Sequence, residues 1–340
     1  MKASVGVALL AILGCLPAAT AQAKGDPCAN LKSDREVQEC RANDQNVVQG
    51  ATRVWSALQN GRLGTVANDP KEAAAALLYN VHVSDCEDRW VALYHQPGDS
   101  DYTYGFVYID PQAGFTLQYG GRFTIDTAGD YHQAPNPIPP EKMNLKIRLE
   151  GKNGGAALLP PRALTQLGLP EKPDWLKSYE DKADPVTHKV SWGFFYNDIG
   201  DSRRAIDYLE SAYSEKPDAP RVVFELTFAY NAVGRPADAI RVSKSEFAKN
   251  PKDELLCREM AFAYLTLKSY NLAAEQYQAC LALLDDSDGT KAEKSELAMN
   301  LGAAYEHMGD TQNRDAWVKK ARDWAPKGSA VYKSFHPNEQ

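Results

Sequence analysis

The sequence lacks the short signatures that announce common catalytic sites. It has no Gly-rich phosphate loop, no GxSxG and no HExxH. It also has no run of Lys or Arg; the formal net charge is −7 and the isoelectric point is near 5.5. Nucleic-acid binders carry a basic patch and a high isoelectric point, so DNA, RNA and anionic membrane surfaces are excluded as expected partners. Beyond the first 23 residues, no apolar run is long enough to cross a bilayer.

What the chain does have begins at its N-terminus. "MKASVGVALLAILGCLPAATAQA" carries Lys2, an apolar run from Val5 to Leu16, and Ala21 and Ala23 in an A-x-A arrangement. This reads as a cleaved secretory signal over 1–23, with a mature chain starting near Lys24. Removing Lys2 moves the net charge from −7 to −8. A competing reading takes "ILGC" as a lipoprotein signal with Cys15 as the lipidated residue, although Leu13 is unusual in that pattern. Either way the protein is expected to be exported, to a periplasm or outside the cell.

Length and composition fit this reading. The chain has 340 residues, 44% hydrophobic and 24% charged, enough for about two domains and a sizeable core. Five cysteines follow the signal: Cys28, Cys40, Cys86, Cys257 and Cys280. In an exported protein these are disulfide candidates. An odd number leaves one unpaired or paired between chains; the alternative is that all are buried thiols.

The second half repeats. "WGFFYNDIGDSRRAIDYLESAYSEKP", "LTFAYNAVGRPADAIRVSKSEFAKNP" and "MAFAYLTLKSYNLAAEQYQACLALLD" start at Trp192, Leu226 and Met260, each 34 residues after the last. Phe194, Phe228 and Phe262 keep that spacing, as do Tyr196, Tyr230 and Tyr264, and Ala205, Ala239 and Ala273. A fourth copy starts at Leu301, displaced by 7 residues, with the insertion falling in the polar stretch "DDSDGTKAEKSE". Apolar residues at helical spacing flank a short turn in each copy.

The pattern of Trp192, Gly193, Tyr196, Ala205, Leu209, Ala212 and Pro217 resembles the tetratricopeptide repeat family. The resemblance covers 186–326. Lys268 at a turn Gly position, Asp285 at a stop Pro position and Arg314 at a small-residue position depart from it. It implies an all-α solenoid of four helical hairpins, each burying its apolar face on its neighbours. Within the third hairpin, Cys257 and Cys280 lie equally far from the turn near Lys268–Tyr270, so antiparallel helices place them side by side. Helix axes pack about 8–10 Å apart, and a disulfide needs Cα atoms within about 7 Å; alanine at the contact makes Cys257–Cys280 feasible. Such a bridge adds about 3 kcal/mol.

The resemblance further implies that the first helix of each pair lines a concave groove. Phe194, Phe228 and Phe262 lie two residues before the tyrosines, about 200° away around the helix. Their equivalents in the family face the groove, as do those of Asn197, Asn231, Phe224, Arg258 and His307. The expected groove is an aromatic ladder with amides placed to bond the backbone of an extended or helical peptide. The bland alternative is that these phenylalanines stack repeat on repeat, or are covered by the chain itself. The family's carboxylate clamp is not expected, because Phe occupies its positions.

The first half lacks the 34-residue period. Ser33 and Glu36 form a capping box, followed by apolar residues at helical spacing from Val37 to Leu58. A second helix opens at Asp69-Pro70. Then the period becomes two: "RWVALYH", "YTYGFVYID", "FTLQY" and "RFTID" read as strands, with Gly120-Gly121 as a two-residue hairpin turn. "NLKIRLEG" adds a strand and "PPRALTQLG" a short helix. Prolines at 170, 173 and 185 mark a linker. The expected fold is an α+β domain of two helices and an antiparallel meander over 24–170. A linker over 171–185, four repeats over 186–326 and a tail over 327–340 follow. Cys28–Cys40 is the expected bridge of the first domain, leaving Cys86 free or bridging two chains.

Candidate chemistry in this half is sparse. His82 and Cys86 are conceivable as a nucleophile pair, and His82, His95 and His132 as metal ligands; neither has a recognisable spacing. "DTAGD", Asp126 to Asp130, reads as a turn. The expectation is an exported, non-enzymatic scaffold that binds a protein or peptide, with no cofactor, no metal and no membrane-spanning segment after signal cleavage; the oligomeric state stays open. The alternatives are a site for a reaction or small ligand in the first domain, with the repeats as a docking arm, and a lipid-anchored part of an envelope assembly.

Overall fold

The computed structural model describes residues 77–93, 100–136, 145–151 and 153–337. The signal segment, Cys15, Cys28, Cys40, the helix from Val37, His95 and nearly all of the helix from Asp69 lie outside the described residues. The described residues form two compact units, 77–183 with 198–201, and 184–197 with 202–337.

The first unit is a sheet. Its strands are β1 (Val81–His82), β2 (Arg89–Leu93), β3 (Tyr102–Asp110), β4 (Gly114–Ile125), β5 (Tyr131–Gln133), β6 (Lys146–Arg148) and β7 (Gly155–Leu158). All pairs are antiparallel, in the order β1-β7-β2-β3-β4-β5, with β6 also on β4. The β-branched and aromatic runs supply the strands. Trp90, Tyr104, Phe106, Tyr108 and Phe123 form one buried cluster, with Trp90 edge-on to Phe106 at 5.1 Å.

The structure corrects the turn expected at Gly120-Gly121. β4 runs straight through it. Tyr104 faces Gly121 while Gly105 faces Tyr119, so Gly120 is the extra residue of a bulge. A Cβ on Gly120 would lie 2.5 Å from the Tyr104 ring. The glycines therefore make room for an aromatic ring and do not reverse the chain.

After α1 (Pro161–Gln166), residues 174–179 form a 3₁₀ turn. The proline-marked stretch is not a bare linker here. The Trp175 ring meets Phe106 at 5.6 Å and Tyr108 at 5.1 Å, Tyr179 meets Tyr108 at 4.7 Å, and Trp90 Nε1 donates to Pro170 O at 2.8 Å.

The second unit is helical: α2 (Pro185–Ile199), α3 (Ser202–Glu215), α4 (Val222–Ala232), α5 (Pro236–Lys249), α6 (Glu254–Thr266), α7 (Tyr270–Leu283), α8 (Lys291–His307), α9 (Thr311–Trp324) and α10 (Ala330–Phe335). Consecutive helices pack in pairs, α4 also touches α6, and α6 touches α8, which makes a tetratricopeptide-like stacked array. Ala205, Ala239 and Ala273 are wholly buried at the pair contacts, and Tyr196 and Tyr230 fill the space beside them. A Cβ on Gly193 would lie 2.4 Å from Leu209 Cγ, so only glycine allows α2 to approach α3 this closely. In the tail, α10 buries Val331 against Ala298 and Ala321.

Candidate functional site

Phe194 on α2, Phe228 on α4 and Phe262 on α6 all stay half-exposed, while Tyr196 and Tyr230, two residues on, are buried. The ladder has three rungs: the fourth copy places Ala303 at this position, and Ala303 is buried. Phe224 is half-exposed one helical turn before Phe228, at the position that Arg258 holds on α6. Leu255, 46% exposed, extends the apolar surface of α6. The Arg221 guanidinium sits 4.5 Å over the Phe194 ring and 2.5 Å from the Glu225 carboxylate.

The asparagines are placed differently from the expectation. Asn197 and Asn231 are both buried. Asn197 Nδ2 donates to Glu225 O at 3.0 Å and to Glu225 Oε2 at 3.1 Å. Asn231 Nδ2 repeats this on Glu259, at 2.9 Å and 3.0 Å. Both amide protons are spent on the next helix of the array, so neither side chain can donate to a ligand's backbone. The two clasps tie α2 to α4 and α4 to α6. At the third step Leu265 stands where the asparagine would be, and Asn300, just before the fourth copy's Leu301, stands where the glutamate would be.

His307 is exposed at the end of α8, and its ring stacks on Tyr270 of α7 at 4.6 Å. Arg258 is half-buried, 3.6 Å from Glu259 and 3.8 Å from Glu293. Burial pushes the Glu259 carboxyl above its ordinary range, against the pull of Arg258 and Asn231. Burial likewise raises Glu293 and Glu296, each partly offset by Arg258. Sequence reasoning missed these carboxylates. Glu225 and Glu259 share the 34-residue spacing of the asparagines they accept from, and that was the available signal.

Cys257 and Cys280 are joined by a disulfide between α6 and α7, with Cα atoms 5.7 Å apart, beside the wholly buried Ala261 and Ala273. It fits an oxidising compartment.

The histidines of the sheet do not converge. His82 on β1 and His132 on β5 sit on opposite edges, five strand spacings or about 24 Å apart. His82 Nδ1 lies 2.9 Å from Asn153 O, and the buried Cys86 thiol points to His82 O at 3.2 Å, not to the imidazole. His132 Nε2 meets Asp126 Oδ2 at 2.8 Å, both exposed. Asp126 Oδ1 accepts from the Ala128 and Asp130 amides, which makes "DTAGD" an Asx-type turn. The hydrogen bond from His132, then the one from the Asp130 amide, hold Asp126 below the usual carboxylate range.

No family model and no curated protein matches the chain. Among solved structures it is similar to "MamA MSR-1 C2", 20% identical over 48% of this chain and 85% of that one, with a TM-score of 0.37. It is similar to MamA 41-end from Desulfovibrio magneticus RS-1 at 18% identity, over 48% of this chain and 83% of that one, TM-score 0.38. It is also similar to YrrB, "a TPR protein with an unusual peptide-binding site", at 15% identity, over 44% of this chain and 74% of that one, TM-score 0.38. The repeat architecture of this chain rests on its own 34-residue spacing and helix pairing.

Proposed function

We propose that the helical unit is the binding arm of an exported interaction protein, and that it holds an apolar protein segment along the first helices of its pairs. One observation carries this: Phe194, Phe228 and Phe262 keep one spacing and all stay half-buried, while Tyr196 and Tyr230 on the first two of these helices are buried and Tyr264 on the third is half-buried. A periodic apolar row on the solvent side of a packed array is costly to keep in water unless a partner covers it. The leader-like N-terminus and the Cys257–Cys280 bridge support export. The asparagine clasps leave recognition to side-chain packing.

The test is crosslinking in the native host followed by identification of the captured proteins, with wild type and Phe228→Ala compared at equal far-ultraviolet circular dichroism. The variant should lose the protein that wild type captures. Equal recovery from both would refute the reading.

A further inference from the structure

The two asparagine clasps are alike in their hydrogen bonds and unlike in their charge. In the first, the buried Glu225 carboxylate accepts from Asn197 at 3.1 Å, and the Arg221 guanidinium touches it at 2.5 Å. That charge is neutralised by direct contact. In the second, the buried Glu259 carboxylate accepts from Asn231 at 3.0 Å, but the Arg258 guanidinium stands off at 3.6 Å. At that separation no hydrogen bond forms. The same guanidinium lies 3.8 Å from Glu293, so it is shared.

The helices around Glu259 do not make up the difference. On α6 itself Arg258 is half-buried and divided between two carboxylates. From α4 comes Asn231, a neutral donor. From α7 comes Tyr277, whose hydroxyl is buried without a hydrogen-bond partner and so gives Glu259 no bond. Burial, and then the Glu259 charge, hold that phenol above the ordinary tyrosine range, so it stays neutral. From α8, Glu293 and Glu296 both draw on Arg258. An ionised Glu259 is therefore a buried charge with one neutral hydrogen bond and no cation in contact, which is costly. A protonated Glu259 keeps the bond from Asn231 and sheds that cost.

We infer that the Glu259 clasp is a proton-operated latch between α4 and α6, closed when Glu259 takes a proton from mildly acidic surroundings and loosened when the proton leaves, while the Arg221-paired clasp between α2 and α4 needs no proton to hold. Burial raises the folded Glu259 carboxyl above its unfolded value of about 4.3. The latch's contribution is therefore whole below about pH 4.3 and is lost as pH rises through the folded value. Because α4 and α6 carry Phe228 and Phe262, the latch governs how firmly two rungs of the row are held together. It does so whatever the face binds, so it stands apart from the proposed function.

The test is urea unfolding of the mature full-length protein from about pH 4.5 to about pH 7.5, followed by circular dichroism, with wild type compared with the neutral isostere Glu259→Gln. The variant should be the more stable at the upper end. Its advantage in folding constant should shrink by up to about tenfold per pH unit on acidification and vanish at the lower end. Glu225→Gln, which strips Arg221 of its partner, should be less stable than wild type throughout. A Glu259→Gln difference that does not change with pH, or a variant less stable than wild type at the upper end, overturns the inference. So does the same slope in Glu225→Gln. Should a variant fail to fold, the carbon-13 shift of the Glu259 carboxyl in wild type decides. Its titration midpoint should lie above about 4.3, and a midpoint at or below that value overturns the latch.

Discussion

Asn231 shows how much one side chain can decide. Its amide satisfies both the carbonyl and the carboxylate of a buried glutamate on the next helix. Asn231→Ala leaves Glu259 buried without that donor, and the expected loss is about 2 kcal/mol in urea unfolding. In a Glu259→Gln background the loss should shrink, and a double-mutant cycle measures the coupling. The period of 34 was legible, and with it the common spacing of Phe194, Phe228 and Phe262; that all three stay half-buried was not. The burial of Asn197 and Asn231 was not. Helical spacing shows which side of a helix a residue is on. Whether that side meets water or the next pair depends on how the pairs stack, which is a tertiary quantity. His307 depends on stacking in the same way: it lies at the helix end, where its ring meets Tyr270 of the preceding pair.

At the scale of elements, helices were easier to read than strands. A repeated amphipathic pair states its own partner, and the equal distance of Cys257 and Cys280 from the turn located their bridge, with alanine allowing the close approach. That bridge closes a loop between residues 23 apart in sequence. Its removal as Cys257→Ala/Cys280→Ala should cost about 3 kcal/mol by thermal unfolding. Mass mapping of the unreduced protein should find those two cysteines in one crosslinked peptide. In the sheet, β3 and the two halves of β4 were plain from their aromatics, but Gly120-Gly121 reads as a reversal until the Tyr104 ring is placed over it. β1, β5 and β7 are two to four residues long, too short for a period to show, and are strands only through their neighbours. Prolines at 170 and 173 suggest a free stretch, yet Trp175 and Tyr179 between them and Pro185 lie on the sheet.

At the scale of the whole molecule, the division into an antiparallel sheet unit and a helical array follows from the change of hydrophobic period along the chain, from two to 3.6. Export is testable on the intact protein from its host: the mass should correspond to a chain beginning at Lys24. A mass beginning at a lipidated Cys15 would favour the anchored alternative. The crosslink inside the third pair also bears on the pairs beside it. In a stacked array each pair leans on its neighbours, so the α6/α7 pair closed by Cys257–Cys280 supports α4/α5 on one side and α8/α9 on the other. Amide exchange should report this directly: on reduction, protection lost in α6 and α7 should spread to α4 and α8.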